Sequence, residues 1–194
     1  MNKDFNTKNL DLFPSGSGDN DSLHNALTKT SKILCEWFSK SNELETLPRE
    51  MNFKFSSPEE KGVDFENLLN DIHDLIYNSF NPSNPGSLAH LDPPPLTLSI
   101  IGDLIAGGLN NNLLANELSP SISKLEKELC EWFALQLGFD KYSGGVAASG
   151  GTLNNLNALV SARYSLGLES NPNAAFIISE DAHVSFKKCA RILG

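Results

Sequence analysis

Basic residues, cysteines and long apolar runs are all scarce in this chain of 194 residues. Lys and Arg number 15 against 24 Asp and Glu, which leaves a formal charge of −9. A nucleic-acid partner needs a basic face, and an anionic membrane surface attracts one, so neither is expected. The three cysteines, Cys35, Cys130 and Cys189, stand too far apart for a metal-ligand spacing, and an odd count closes no disulfide framework. No metal site is expected. Reduced thiols in a cytoplasmic setting are the simplest expectation. Residues 1–20 hold no apolar run of the signal-peptide kind, and no later run is long enough to span a bilayer. No lysine follows any glycine pair, which sets a nucleotide P-loop aside.

What is present is enough for a core. Hydrophobic residues make up 40% of the chain and charged residues 20%, as in a single domain or a domain with an arm. Residues 1–20 are rich in Asn, Ser and Gly and read as a disordered or loose segment. A helix is expected from Asp21 or Ser22, either of which would cap it, with Leu23, Leu27, Leu34, Trp37 and Phe38 on one stripe. A connector broken by Pro48 and Pro58 follows. A second helix after Asp64 places Phe65, Leu68, Leu69, Ile72, Leu75 and Ile76 at helical spacing, and Asn81–Gly86 ends it. Residues 21–86 thus read as a helical arm. Its apolar stripes pack either on their own chain or across a dimer, since amphipathicity does not name the partner.

Residues 87–194 read as the main body. His90, Leu91, Asp92 and Pro93 open a loop that three successive prolines hold stiff. Leu98–Leu109 reads as a buried helix closed by Gly107 and Gly108. Ser119-Pro120 starts another, with the serine as cap and proline at the first helical position. Ile122, Leu125, Leu129, Trp132, Phe133 and Leu137 form its expected buried face, Gly138 stops it, and Glu126, Glu128 and Glu131 read as a solvated face. From Val146 the pattern alternates: a strand, the helix Leu153–Leu166, the strand Ala175–Ser179, and a helix from about Ala182. That order predicts an α/β layer with a mainly parallel sheet.

The chemistry is expected where the first of these strands turns into its helix. In Ser143–Asn157, Gly150 and Gly151 let a ligand approach the backbone closely. Thr152 adds a hydroxyl where the first helical N–H groups have no partner in the helix. Such a turn is an anion socket suited to a phosphate. Glu180-Asp181-Ala182-His183 follows the second strand, on the same rim of the sheet. A socket and an imidazole on one rim point to a phosphorylated cofactor with a ring.

These segments resemble the group II pyridoxal-phosphate-dependent decarboxylases, the family of aromatic amino-acid, glutamate and diaminobutyrate decarboxylases. The resemblance rests on Ser149–Leu156 ending in Ser161-Ala162-Arg163, on Ser179–His183, on Ser119-Pro120 with Leu125-Glu126, and on His90–Thr97. It covers about residues 22–194, with the motifs in family order. It implies the aspartate aminotransferase fold, fold type I, with the helical pair as a homodimer arm. Gly150, Gly151 and Thr152 would hold the phosphate of pyridoxal 5'-phosphate. His183 would lie against its ring and act in catalysis, by helping to move a proton or to orient the substrate carboxylate. His90, Leu91, Asp92 and Pro93 would border the pocket of an amino-acid substrate, and the Pro-Pro-Leu-Thr variant leans towards the diaminobutyrate branch. Arg163 would serve packing.

The family's cofactor-tethering lysine directly follows a histidine, and no histidine here is followed by lysine. Lys187 and Lys188 fall at the wrong place. The resemblance therefore implies the amino-terminal part of a decarboxylase, truncated before the lysine and inactive without the missing carboxy-terminal part. Two other readings stay open: a remnant or dimerising fragment without catalysis, and a relative of another reaction type, such as an aminotransferase or desulfurase.

Overall fold

The computed structural model describes residues 10–11, 13–49, 60, 62–88 and 91–194. Pro58 and His90 lie outside the described residues, as do positions 1–9 and 12 of the segment expected to be loose. The chain forms two compact units, Met1–Gly102 and Asp103–Gly194.

In the first unit, α1 (Asp21–Ser39) packs on α2 (Phe65–Tyr77). Their stripes bury Trp37, Phe65 and Leu69, while Leu23, Leu27, Leu68 and Leu75 stay more than a third exposed. Lys29 of α1 pairs with Glu66 of α2 and lies over the Phe65 ring. Asp64 caps α2 through Oδ1, which accepts from Asn67 N–H at 3.0 Å. The cap of α1 differs from expectation. Asn20, rather than Asp21 or Ser22, holds the cap position and makes no side-chain capping bond. Its Oδ1 is taken by Ser15 N–H at 2.7 Å, so the side chain closes the preceding turn instead.

The turn after α2 does more than stop a helix. Asn84 Nδ2 donates to the carbonyls of Ser41 at 2.9 Å and Leu44 at 2.7 Å, and its Oδ1 accepts from Thr46 Oγ1 at 3.0 Å. Asn81, almost wholly buried, donates to the Ser41 carbonyl at 3.1 Å. These amides supply partners to a connector whose own backbone has none in a helix.

The helix α3 (Thr97–Leu109) forms where the apolar run predicts it, but it is not buried: none of its residues is. Gly107 and Gly108 lie inside it, and the chain leaves the helix at Asn110, whose φ of 45° is a left-handed conformation that asparagine tolerates.

In the second unit a short 3₁₀ helix, Asn116–Leu118, leads into α4 (Pro120–Gln136). Proline does stand at its start, but Ser119 makes no capping bond, and its buried hydroxyl has no partner among the described residues. Gly138, at φ 84°, ends α4 with the paired bonds Phe139 N–H to Ala134 O and Gly138 N–H to Leu135 O, a Schellman closure. The expected buried face of α4 is corrected: Leu125, Leu129, Trp132, Phe133 and Leu137 are each about half or more exposed, and Ala134 alone is buried. The apolar pattern is present, but no described part of the chain covers it.

Two helices, α5 (Gly151–Ser165) and α6 (Val184–Leu193), pack together at the end of the chain. The expected strands before them are absent among the described residues: 143–148 and 174–179 carry no regular structure. A strand exists only through its ladder of paired neighbours, and these stretches share no backbone hydrogen bond. Ile177, expected to be covered on both faces, is fully exposed. Helices and links follow the α/β order, while no strand of the expected parallel sheet is formed among the described residues.

Candidate functional site

The stretch leading to the glycine turn is laid down by α4. Glu126 and Cys130 are four residues apart, hence on one helical face. Glu126 Oε1 accepts from Ala147 N–H at 2.8 Å. Gly145 sits so close to Cys130 that a Cβ there would come within 3.3 Å of the cysteine's Cβ, so glycine permits the approach. Glu128 and Glu131 pair with Lys124 and Lys127 along the exposed side of α4. Glu126 thus departs from the solvated face to which the sequence assigned it.

Beyond that anchor the chain enters α5 at Gly150, with no side chain capping the helix. A Cβ built at Gly150 or at Gly151 would meet nothing within 4 Å, so open space stands over both. Thr152 is exposed in the first turn. The first N–H groups of a helix lack internal partners and carry the positive end of its dipole. Together these features make an open, donor-rich start to a helix of 15 residues.

His183 holds the cap position of α6, and its Nδ1 accepts from Ser185 N–H at 3.2 Å. Ser185 is fully buried, and its Oγ lies 2.8 Å from the same Nδ1. The same Oγ accepts from Asn155 Nδ2 of α5, also at 2.8 Å. The first turns of α5 and α6 are therefore joined by Asn155, Ser185 and His183. Buried Cys189 adds a weak contact to the Thr152 carbonyl at 3.8 Å. At the other end, Arg163 donates to the carbonyls of Leu168 at 3.0 Å, Glu169 at 2.8 Å and Leu193.

Of the residues expected at the site, Gly150, Gly151 and Thr152 stand at the start of α5 and His183 at the start of α6, and the two starts are linked through Asn155 and Ser185. Leu91, Asp92 and Pro93 lie in the irregular approach to α3 in the first unit, Leu91 almost wholly exposed. Sequence reasoning missed Asn155 and Ser185. The signal was available in part: serine two residues past a cap histidine, and an asparagine one turn inside the glycine helix. Only tertiary packing says that they meet. Among the described residues no cluster suits a metal ion, and no helix is long and apolar enough to cross a membrane.

Residues 48–194 match the family model for the pyridoxal-dependent decarboxylase conserved domain. An L-aspartate decarboxylase of Metarhizium robertsii is 30% identical over 149 residues, 73% of this chain and 30% of that protein. An L-2,4-diaminobutyrate decarboxylase of Acinetobacter baumannii is 27% identical over 158 residues, 71% of this chain and 31% of that protein. In structure the chain resembles mouse CSAD in its apo form, with a TM-score of 0.78 at 20% identity, over 91% of this chain and 40% of that one. That likeness is one of fold. The chain spans less than a third of the length of these two curated relatives.

Proposed function

The chain belongs to the pyridoxal-dependent decarboxylase family, and we propose that it supplies the phosphate socket and the ring-facing histidine of an amino-acid decarboxylase using pyridoxal 5'-phosphate. The observation that carries this reading is the uncapped start of α5, with open space at Gly150 and Gly151, tied through Asn155 and Ser185 to His183. These residues fit a phosphate ester. A side chain at either glycine would fill the space the phosphate needs, and unpartnered N–H groups supply what its oxygens accept.

When bound, the cofactor supplies an electron sink for the pair left as carbon dioxide departs. The chain's own residues do the rest. Gly150, Gly151 and Thr152 fix the phosphate end through backbone N–H groups and the Thr152 hydroxyl. His183 would face the ring and would hold or move a proton at Nε2. His90, Leu91, Asp92 and Pro93 border the substrate in the same reading. The substrate class is an α-amino acid, with aspartate or diaminobutyrate first to be tried.

We extend the reading to assembly. Residues 21–86 form an arm that dimerises, supported by the exposed Leu23, Leu27, Leu68 and Leu75 that the α1–α2 packing leaves over. Residues 87–194 form the first part of a fold type I large domain, supported by the half-exposed apolar face of α4. In this reading residues 1–194, which hold no lysine directly after a histidine, release no carbon dioxide by themselves. A reduced cytoplasmic setting accords with three free cysteines.

The test is carbon dioxide release from aspartate, diaminobutyrate, glutamate and aromatic amino acids by the product of the whole reading frame, with pyridoxal phosphate added. His183→Ala should lower release by about a hundredfold or more, the usual scale for losing a proton-transferring group, far beyond the modest loss of stability that follows from removing the α6 cap. Turnover equal to wild type removes His183 from the site. Keto-acid formation without carbon dioxide replaces decarboxylation by transamination. No turnover, with no His-Lys pair encoded past Gly194, leaves the non-catalytic fragment.

A further inference from the structure

We propose that Asn155 and Ser185 are positioning residues that fix the tautomer of His183, so that neutral His183 carries its proton on Nε2. The inference rests on the site reading above for its consequence, but its geometry stands on three contacts. Ser185 N–H, which only donates, points to His183 Nδ1 at 3.2 Å. Asn155 Nδ2, also only a donor, occupies Ser185 Oγ as acceptor at 2.8 Å. The hydroxyl hydrogen of Ser185 is then free to point onward, and the atom 2.8 Å from its oxygen is again His183 Nδ1. Both donors converge on Nδ1, which must present its lone pair. In a neutral imidazole the other nitrogen then holds the hydrogen.

The direction of the chain is set by Ser185 N–H and reinforced at its far end. An amide donates to Ser185 where a carboxylate could only accept. Ser185 is fully buried and Asn155 partly so, which keeps the three groups from trading partners with water. Exposed His183 thus offers a hydrogen-bond donor, not a base, to a neighbour at Nε2. At the proposed site that neighbour is an anionic or carbonyl oxygen, and an acidic ligand group is favoured over an amine. The outer pair acts only through the histidine and touches no ligand itself.

Substituting Asn155→Asp weakens the chain. The new carboxylate accepts the Ser185 hydroxyl hydrogen, so Nδ1 keeps only the longer bond from Ser185 N–H, and a hydrogen on Nδ1 now competes for the freed Ser185 Oγ. An acidic residue in the first turns of a helix is favourable, so folding is retained.

The test is the pair of imidazole nitrogen chemical shifts of His183, read by NMR on isotope-labelled protein at a pH where imidazole is neutral. Loss of its signals in His183→Gln assigns them among the four histidines. The wild type should show one tautomer, with Nε2 protonated and Nδ1 bare. Asn155→Asp should move the Nδ1 shift towards the protonated value, and Asn155→Gln should keep the wild-type pattern. A wild type with Nδ1 protonated, or shifts unchanged by Asn155→Asp, overturns the proposal. Should Asn155→Asp fail to fold, the wild-type spectrum alone decides. Pyridoxal phosphate takes no part in this measurement, so failure of the cofactor reading and failure of this one are told apart.

Discussion

Glu126 reaches from α4 to Ala147, its Oε1 accepting the backbone N–H at 2.8 Å, three residues before the glycine turn. With Gly145 pressed on Cys130, it pins the stretch that delivers Gly150 to the start of α5. Glu126→Ala should free this stretch. Hydrogen exchange at Ala147 and its neighbours should quicken, and stability should fall by about 1 kcal/mol, the usual net worth of one such bond. Glu126→Gln, which keeps an acceptor oxygen, should stay close to wild type. Equal exchange in all three proteins would show that Cys130 packing alone sets the stretch.

Arg163 serves structure. Its guanidinium gathers the carbonyls of Leu168, Glu169 and Leu193, tying the end of α5 to the end of α6. Arg163→Lys removes the planar fork while keeping the charge, so it should still cost about 1–3 kcal/mol in the urea midpoint. An unchanged midpoint would show that these carbonyls are equally well served by water.

The helical arm depends on one amide. Asn84 both donates and accepts within a single turn, to Ser41 and Leu44 and from Thr46 and Gly86 N–H. Asn84→Asp leaves two carbonyls facing an acceptor. The unit holding α1 and α2 should lose about 2 kcal/mol or more, seen as earlier loss of Trp37 fluorescence in denaturant. Asn84→Asp with a wild-type midpoint contradicts this role.

The sequence made the helices legible through local chemistry. Asp64 caps α2, Pro120 opens α4 and Gly138 closes it, because capping and left-handed turns are decided within a few residues. What depended on distant partners was not legible. The strand at Ala175–Ser179 has the right residues but no ladder, and the stripe Leu125–Leu129–Trp132 has the right period but no cover. Periodicity states which face seeks burial, never what buries it. At the site, Gly150, Gly151, Thr152 and His183 could be picked out as types that suit a phosphate and a ring. Asn155 and Ser185 could not, since thirty residues separate them and only the packing of α5 on α6 brings them within 2.8 Å.

The central claim is that Gly150 and Gly151 keep a space empty for a phosphate. Substituting alanine at either position meets no atom within 4 Å, and neither residue has a left-handed φ, so the fold should tolerate the change. Equilibrium dialysis against pyridoxal phosphate, with thermal unfolding followed in parallel, separates binding from folding. The account predicts that wild type binds, and that Gly150→Ala and Gly151→Ala unfold like wild type while binding falls by about tenfold or more, roughly 1.4 kcal/mol. Undiminished binding in both variants, or no binding by wild type, would contradict it.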